Sequence, residues 1–459
     1  MVTPALTAEC VAELSTRGPR YTSYPPATEL APISTSTVER ELETLPIDGP
    51  ISLYLHIPFC KSLCWYCGCN VIPSRDSSRG DRYVETLATE MAMVAKALHP
   101  AYPVSEIALG GGSPNFLSPR TMRKLVTLLE RCFAVMPDAR RSVELDPREA
   151  TFEQIDTLAA LGFRALSVGV QDFAGPVQDA IHRHQSRAQT AWLIAKARDA
   201  GFTDINVDMV YGLPRQNETS FTRTLDAVVQ LEPDRIALFG YAHLPSKLPH
   251  QALVERAGRV LDRFERATLL LMAIERLTAA GYVHIGLDHF ARPGSTLARA
   301  AAEHRMIRTF QGYVEYRADS VIGLGTSAVS TTKRMFWQNH NDLPAWEEAI
   351  LAGKLPVARG FVLDRDDQIR RTVIGRLMCD GSIDLGRIED EFQISAPTYF
   401  EKELVELRQL DDLASYDAAG NAIVTTPLGR LLVRNVCMVF DAYQQPAAPA
   451  GEAKFSSTI

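Results

Sequence analysis

The sequence predicts an α/β protein built on a parallel sheet. Short apolar runs alternate with longer amphipathic segments, and the runs are Ile51–Ile57, Glu106–Leu109, Ser142–Leu145, Ala165–Val170, Ile205–Tyr211 and Arg235–Tyr241. Strands that alternate with helices form right-handed βαβ units, in which the strands are parallel. The alternation fits a partial barrel of six units, a closed barrel of eight strands or an open doubly wound sheet.

The segments between these runs carry the spacing of amphipathic helices. In the first segment, apolar residues recur every three or four positions and build one face, at Val84, Leu87, Met91, Val94 and Leu98. A longer helix is predicted over Leu261–Ala280, and Gly281 directly after it is a residue type that commonly follows a helix end. These segments supply the crossovers that a parallel sheet needs.

We divide the chain into four parts. Residues 1–45 form an arm that we expect to be irregular and outside the core, because glycine and prolines interrupt it. Residues 46–360 form the catalytic domain, and residues 361–444 form a small, mainly helical, winged-helix-like domain with a hairpin around Asp417–Asn421. Residues 445–459 are rich in proline, alanine and serine, which predicts a disordered tail.

Composition narrows the functional classes. The chain has 459 residues, 46% of them hydrophobic, which is enough for a large core. A net charge of −7 disfavours bulk nucleic acid as a partner, although a local basic pocket would still allow an anionic substrate. No apolar run is long enough to cross a membrane, and no secretory signal is evident. We therefore expect a cytoplasmic monomer that binds neither nucleic acid nor membrane.

The most informative motif is a cysteine triplet. Cys60, Cys64 and Cys67 are spaced C-x3-C-x2-C directly after the run Ile51–Ile57. Soft thiolate ligands at such spacing suit an iron–sulfur cluster. A structural zinc site is the alternative, but it usually pairs two separated ligand knuckles, and the sequence has no second one. Three thiolates also leave one iron of a four-iron cluster open to a small molecule.

Polar and glycine residues follow the other predicted strands. Gly110, Gly111 and Gly112 follow the second run, and without a Cβ they let the backbone approach a ligand closely. Glu144, Gln171 and Asp208 lie at or near the ends of later runs. Because carboxyl ends of parallel strands share one edge, these side chains are candidates for binding hydroxyl or ammonium groups of a cofactor.

The string from Tyr54 to Asn70, which contains the triplet and Cys69, resembles the oxygen-independent coproporphyrinogen III oxidase (dehydrogenase) family of the radical S-adenosylmethionine (SAM) superfamily. The resemblance extends from Arg17 to Tyr443. It implies a partial (βα)6 barrel. It also implies a 4Fe-4S cluster held by Cys60, Cys64 and Cys67, and two SAM molecules per chain.

The resemblance also assigns cofactor contacts. It implies that Gly111, Gly112 and Ser113, of which Ser113 stands where threonine is usual, hold the amino group of SAM. Glu144 and Val329 match contacts to the cluster-bound SAM, and Tyr54 matches a cofactor contact. The implied contacts to a second SAM are Tyr66, Gln171, Arg183, Asp208 and Ala242.

The implied activity is the oxidative decarboxylation of two propionates of coproporphyrinogen III to vinyl groups, with an electron donor for the cluster and an electron acceptor. The anionic substrate needs cations, and Arg17 and Arg20 of the arm are candidates. One alternative is a related haem chaperone, but that branch lacks the Cys67-x-Cys69 pair and Asp172. The other is an iron–sulfur carrier without catalysis, which would have no use for the strand-end residues.

Overall fold

The computed structural model describes residues 7–315, 318–444 and 455–459. Its strands are β1 (Ala31–Pro32), β2 (Ile51–Ile57), β3 (Phe59–Cys60), β4 (Ile72–Pro73), β5 (Pro103–Gly111), β6 (Ala134–Leu145), β7 (Ala165–Gln171), β8 (Asp204–Tyr211), β9 (Arg235–Gly240), β10 (Val283–Gly286), β11 (His289–Ala291), β12 (Met306–Thr309), β13 (Gly312–Glu315), β14 (Ser320–Leu324), β15 (Val329–Thr331), β16 (Met335–Asn339), β17 (Val357–Val362), β18 (Ser382–Asp384), β19 (Ala414–Asp417) and β20 (Ala422–Thr425).

The helices lie mostly between the strands of the catalytic domain and in the C-terminal domain. They are α1 (Ala8–Leu14), α2 (Thr35–Glu43), α3 (Ser78–Ala97), α4 (Pro119–Cys132), α5 (Phe152–Ala160), α6 (Gly175–Ala180), α7 (Arg187–Asp199), α8 (Glu218–Val229), α9 (Ala252–Ala257), α10 (Arg263–Ala279), α11 (Thr296–Ala302), α12 (Leu343–Leu351), α13 (Arg365–Asp380), α14 (Leu385–Phe392), α15 (Ala396–Tyr399), α16 (Glu401–Leu407), α17 (Pro427–Leu431) and α18 (Val433–Val439). Several start at a side-chain cap, such as Thr151 before α5, which pairs reciprocally with Gln154.

The centre of the fold is a run of parallel strands in the order β14-β2-β5-β6-β7-β8-β9. All six strands expected from the sequence are present, and β14 adds a further parallel strand beside β2. Antiparallel strands continue the sheet on both sides, with β15, β16, β17 and β1 beyond β14, and β11 and β10 beyond β9. In the described part of the chain the sheet does not close on itself, so the closed eight-stranded barrel is wrong.

The central strands are apolar because both of their faces are covered. In β2, Ile51, Leu53, Leu55 and Ile57 are fully buried, and the residues between them are almost as inaccessible. A strand covered on both faces has no solvent side, so polar alternation disappears from its sequence. The parallel pairing then brings the carboxyl ends of these strands, with the loops that follow them, to one edge of the sheet.

The arm differs from the sequence-based expectation. Residues 8–14 and 35–43 are helical, and Val11, Tyr21, Val38 and Leu42 belong to the main hydrophobic core. The prediction of an irregular arm outside the core is therefore wrong. Gly18 and several prolines lie in the stretch between the two helices, which contains a 3₁₀ turn over Ala27–Glu29 and the short strand β1.

The C-terminal domain is mainly helical, as expected, and carries a small antiparallel sheet in the order β18-β20-β19. The predicted hairpin connects β19 to β20. Residues 445–454 of the expected disordered tail lie outside the described residues. The expectation is wrong for residues 455–459, because Ser457 forms a β-bridge with Arg17 and its carbonyl accepts a hydrogen bond from Arg434.

Across the ranges that the structure describes, none of the helices combines the length and apolar character that a bilayer crossing would require.

The core position of the arm yields a stability prediction. Leu42 is 1% exposed, so Leu42→Ala should lower the free energy of unfolding by about 2–5 kcal/mol through lost burial and a residual cavity. Ile47 nearby is 50% exposed, so Ile47→Ala should change it by less than about 0.5 kcal/mol. Urea unfolding of both variants measures the difference. Equal effects would contradict a core role for the arm.

Candidate active site

The cysteine triplet lies in the loop that follows β2. Cys60 ends β3, Cys64 is buried, and Cys67 is partly buried. Two guanidinium groups approach the sulfur of Cys64: Arg148 Nη2 lies 3.4 Å and Arg183 Nη1 3.5 Å from it. Donors of positive charge favour the thiolate over the thiol. The loop thus offers sulfur ligands in an environment that suits a negatively charged cluster.

The donor set fits an iron–sulfur cluster better than a single ion. Among the described residues, no three His, Cys, Asp or Glu side chains converge closely enough to hold one metal ion. A four-iron cluster has separate iron corners, so its thiolates need not converge on one point. Cys69, the fourth cysteine of the loop, is exposed, and its backbone N–H donates to the sulfur of Cys67 at 3.4 Å. A hydrogen bond from the Cys69 side chain, aided by this backbone contact and the charge of Arg183, outweighs burial and lowers the pKa of the Cys67 thiol to about 7.

Distant parts of the chain hold the cysteine loop in place. The ring of Trp65 stacks on the ring of His182, with 5.0 Å between the centroids. The backbone N–H of Trp65 donates a hydrogen bond to the carbonyl of Ile181. Gln251 Nε2 donates to the carbonyls of both Tyr66 and Ala242, each at 3.1 Å. The side-chain amide of Gln251 therefore bridges Tyr66 and Ala242, which the family resemblance assigns as contacts to the second SAM.

The glycine run at the end of β5 is required sterically. Gly111 has φ of +110°, and a Cβ there would lie 2.7 Å from the ring of His56. A Cβ on Gly110 would lie 2.9 Å from the carboxylate of Glu144. Ser113 is buried, and its hydroxyl donates to the side-chain oxygen of Asn115. In this structure the Ser113 hydroxyl is therefore engaged within the loop.

Two buried carboxylates, Glu144 of β6 and Asp208 of β8, lie on the strands that flank β7. Burial and the negative charge of Asp208 raise the pKa of Glu144 to about 7. Asp208 accepts hydrogen bonds from Ser167 at 2.8 Å and Asn206 at 2.7 Å, and burial raises its pKa as well. Both groups gain from a ligand that brings hydrogen-bond donors or positive charge, because either would favour the ionised form.

Arg183 is the centre of a second group of side chains. Its guanidinium lies 3.4 Å from Asp146 and donates to the carbonyl of Gly169 at 2.6 Å. Its Nε is buried without a hydrogen-bond partner. Gln171 is buried, and its backbone has a φ of +68°. Its side-chain amide comes so close to Gly169 that a Cβ on that glycine would lie 3.0 Å from the amide nitrogen. Gln171 and Arg183 therefore both approach Gly169 near the end of β7.

A cavity of about 700 Å³ extends from the cysteine loop toward the C-terminal domain. It reaches the loop at Cys69 and Asn70, and four predicted cofactor contacts line it: Tyr54, Gly111, Glu144 and Val329. Seven others are not among its lining residues: Tyr66, Gly112, Ser113, Gln171, Arg183, Asp208 and Ala242. None of the five residues expected around a second SAM lines this cavity, and neither do Gly112 and Ser113, which are expected around the first.

The arm lines this cavity, but through residues other than those expected. Tyr21, Thr22, Ser23 and Tyr24 contribute to its wall. Arg17 is exposed and pairs through its backbone with the tail, while Arg20 Nη2 donates to the carbonyl of Gly240 outside the cavity. Neither arginine is among the residues that line this cavity, and their role as substrate contacts stays a prediction.

Sequence reasoning missed Asp146, Arg148 and Gln251. Asp146 and Arg148 lie just after the carboxyl end of β6, and polar residues at such positions are candidates for an active site, so the sequence could have indicated them. Gln251 lies in a short 3₁₀ helix, far along the chain from the cysteine loop that it contacts. No local pattern marks such a residue, because only the folded chain brings it there.

Comparison with known proteins agrees with this architecture. The pattern of the Radical SAM superfamily matches residues 54–228, and that of the HemN C-terminal domain matches residues 363–432. The chain is 39% identical over 431 residues to the oxygen-independent coproporphyrinogen III oxidase of Salmonella typhimurium, covering 94% of each protein. It is 37% identical over 449 residues to the oxidase of that name from Pseudomonas aeruginosa, covering 95% of each.

A solved structure agrees as well. Coproporphyrinogen III oxidase (HemN) from Escherichia coli, described as a radical SAM enzyme, superposes with a TM-score of 0.89 at 38% identity, covering 93% of this chain and 98% of that one. The chain belongs to the oxygen-independent coproporphyrinogen III oxidase family. The predicted α/β fold with a small C-terminal domain is confirmed, and membership of the radical SAM superfamily implies a 4Fe-4S cluster and SAM.

In this radical SAM enzyme a buried carboxylate supports the wall of the cavity. Glu90 of α3 accepts hydrogen bonds from the Gly325 N–H at 2.8 Å, Asn339 Nδ2 at 2.6 Å and Trp346 Nε1 at 3.1 Å. Gly325 lies in the loop that leads to Val329. Burial outweighs these donors and raises the pKa of Glu90 to about 7.

Glu90 should give the enzyme a measurable pH dependence. The raised pKa means that the folded chain binds this proton more tightly than the unfolded chain, so stability falls as pH rises from about 4.5 to about 7. The contribution of Glu90 to the free energy of unfolding should fall by at most about 1.4 kcal/mol per pH unit. The variant Glu90→Gln should lack this pH-dependent part of the stability, because its amide does not titrate.

The measurement is urea unfolding of the apo protein at about pH 5 and about pH 8. Glu85→Gln is the matched control, because Glu85 lies on the same helix but its side chain is 64% exposed. If the difference between wild type and Glu90→Gln is the same at both pH values, the raised pKa is refuted.

Proposed function

We propose that this chain oxidatively decarboxylates two propionate groups of coproporphyrinogen III to vinyl groups, which yields protoporphyrinogen IX. The observation that carries the proposal is the cavity of about 700 Å³ between the cysteine loop and the C-terminal domain. Its volume lies within the range of roughly 300–1,000 Å³ that is typical of small-molecule sites. It reaches the cysteine loop at Cys69 and Asn70. Its other walls carry five cations, Arg308, Lys333, Arg359, Arg371 and Arg376, together with carboxylates such as Asp319 and Glu391. A polyanionic ligand can therefore be held with one edge near the cluster.

In this proposal Cys60, Cys64 and Cys67 hold the cluster, and Arg148 and Arg183 stabilise the charge on Cys64. The cluster and its bound SAM supply a 5′-deoxyadenosyl radical when present, which is the chemistry that a cofactor contributes. The residues of the chain orient SAM: the glycine run allows close approach, while Tyr54, Ser113, Glu144 and Val329 bind its polar and apolar parts. An external electron donor and an electron acceptor complete the reaction.

We also propose a second SAM site above the ends of β7 and β8. Its contacts are Tyr66, Gln171, Arg183, Asp208 and Ala242. Support comes from the buried Arg183 guanidinium, whose unpartnered Nε suits a carboxylate ligand. Further support is the acidic Asp208, whose raised pKa shows that the site would gain from an ammonium or hydroxyl donor.

The reaction is tested by anaerobic reconstitution with iron and sulfide, followed by assay with coproporphyrinogen III, SAM and a reductant. Wild-type protein should form protoporphyrinogen IX. Alanine at Cys60, Cys64 or Cys67 should abolish cluster absorbance and turnover together, because each variant removes one of the three ligands. Cys69→Ala should retain the cluster.

Cys132→Ala is the control, since Cys132 ends α4 outside the cysteine loop. Loss of the cluster in Cys69→Ala as complete as in Cys64→Ala would contradict the ligand assignment. Haem binding by a wild-type protein that retains its cluster but has no turnover would instead favour the haem chaperone.

The second SAM site predicts a stoichiometry. Equilibrium dialysis with the reconstituted enzyme should find two SAM molecules per chain. Asp208→Ala should remove one of them while cluster absorbance and the other SAM remain, because Asp208 lies outside the cavity that reaches the cysteine loop. Asp199→Ala, an exposed position at the end of α7, is the matched control. One SAM per wild-type chain would disprove the second site.

A further inference from the structure

One wall of the cavity is the antiparallel part of the sheet. Alternate residues of β15 and β16 line the cavity, namely Val329 and Thr331 and then Phe336 and Gln338, and β17 contributes Arg359. These residues are also register partners, since Val329 lies opposite Gln338, and Gln338 lies opposite Arg359. Residues opposite each other in a sheet point to the same face. The register therefore places the Arg359 side chain on the same wall as Val329.

The second wall is helix α13 of the C-terminal domain. Arg371 extends from this helix to the strand wall, where its guanidinium lies over the ring of Phe336, 4.8 Å from the centroid. Arg371 Nη1 donates to the carbonyl of Thr332 at 2.7 Å, and Nη2 donates to the hydroxyl of Thr331 at 3.1 Å. These contacts hold the guanidinium in a fixed orientation.

The cations that line the cavity differ in their ion pairs. Lys333 lies 2.8 Å from Asp48, Arg376 lies 3.4 Å from Asp380, and Arg308 lies 3.9 Å from Asp288. Within the described ranges, Arg359 and Arg371 make no ion pair with a carboxylate. Arg359 donates only its Nε, to Gln338 at 2.8 Å.

Two guanidinium groups on the cavity walls thus lack a carboxylate at ion-pair distance, although Asp319, which lines the same cavity, acts on Arg371 from farther away. A charge removed from water is costly unless a partner of opposite charge is supplied. Burial accordingly lowers the pKa of Arg371 to about 10. A carboxylate bound between the walls would supply the missing charge, and the planar guanidinium matches it with two parallel hydrogen bonds.

Arg371 lies near Val329, which is one of the residues expected to contact SAM. Thr331, which accepts from Arg371, is two residues beyond Val329 on β15, or about 7 Å along the strand. A ligand with carboxylates on several sides can therefore be held here by two of them. A further carboxylate side chain then points along the cavity toward Glu144 and the cysteine loop.

We propose that Arg359 and Arg371 form a carboxylate-binding pair that anchors two propionates of the tetrapyrrole, so that a third propionate faces the cofactor end of the cavity. The proposal rests on the proposed function for the identity of the ligand. The pair differs from the predicted contacts Arg17 and Arg20 in that both of its members line the cavity and neither has an ion-pair partner among the described residues.

The probe is coproporphyrin III, the oxidised tetracarboxylate that is not turned over, titrated into the reconstituted enzyme and followed by fluorescence. Arg359→Gln and Arg371→Gln should each weaken binding at least tenfold, since each loses a charge-assisted hydrogen bond. Arg371→Lys should recover binding only in part, because lysine lacks the planar fork. Arg387→Gln is the matched control, because its side chain is 85% exposed on α14.

Structural effects are separated by a second readout. Cluster absorbance and SAM cleavage without substrate should equal wild type in each variant, while the KM for coproporphyrinogen III rises. Unchanged porphyrin affinity in Arg359→Gln and Arg371→Gln would overturn the proposal. If Arg371→Gln fails to fold, Arg359→Gln decides, because Arg359 makes only one side-chain hydrogen bond.

The outcomes also distinguish the two proposals. Normal turnover in wild type with unchanged affinity in the variants refutes the arginine pair and leaves the function in place. Porphyrin binding that depends on both arginines, in a wild type without turnover, supports the pair and refutes the proposed reaction.

Discussion

The parallel register of the central strands is the constraint on which the rest of this structure depends. Because β2 and β5 to β9 all run in one direction, the cysteine loop, the glycine run and the strand-end side chains reach the same edge of the sheet. Residues separated by more than a hundred positions thereby become neighbours. Arg183, for example, lies 3.5 Å from the sulfur of Cys64. An antiparallel arrangement would send alternate strand ends to opposite edges and separate these groups.

Burial of charge distinguishes the structural part of the molecule from the part that binds ligands. At the amino ends of the strands, Arg140 contacts both Glu106 and Asp204, so the buried charges there are compensated internally. At the carboxyl ends, Glu144 and Asp208 have no ion-pair partner among the described residues, and burial raises the pKa of both. Uncompensated charge is destabilising in the free protein. Its concentration at one edge is what a site for charged ligands requires.

The arm, the catalytic domain and the C-terminal domain act together as one enclosure. Tyr21 of the arm donates to Asp441 at 2.9 Å, and Arg434 donates to the carbonyls of Gly18 and Pro19. Residues 455–459 pack beside the same stretch. The arm therefore closes one side of the cavity while α13 closes another. These contacts join residues more than 400 positions apart, and they explain why the arm contributes to the core despite its prolines.

The sequence by itself determined the features that depend on local spacing. The cysteine triplet, the glycine run and the apolar strands are encoded within short segments, and six of the seven central parallel strands overlap the predicted runs, β14 being the exception. Only the tertiary structure decided which cations face the cavity. Arg20 turns away to Gly240, whereas Arg359 and Arg371 come from a sheet extension and a separate domain. Local sequence carries no signal for such contacts, because long-range packing alone decides which arginine finds a carbonyl, a carboxylate or an open cavity.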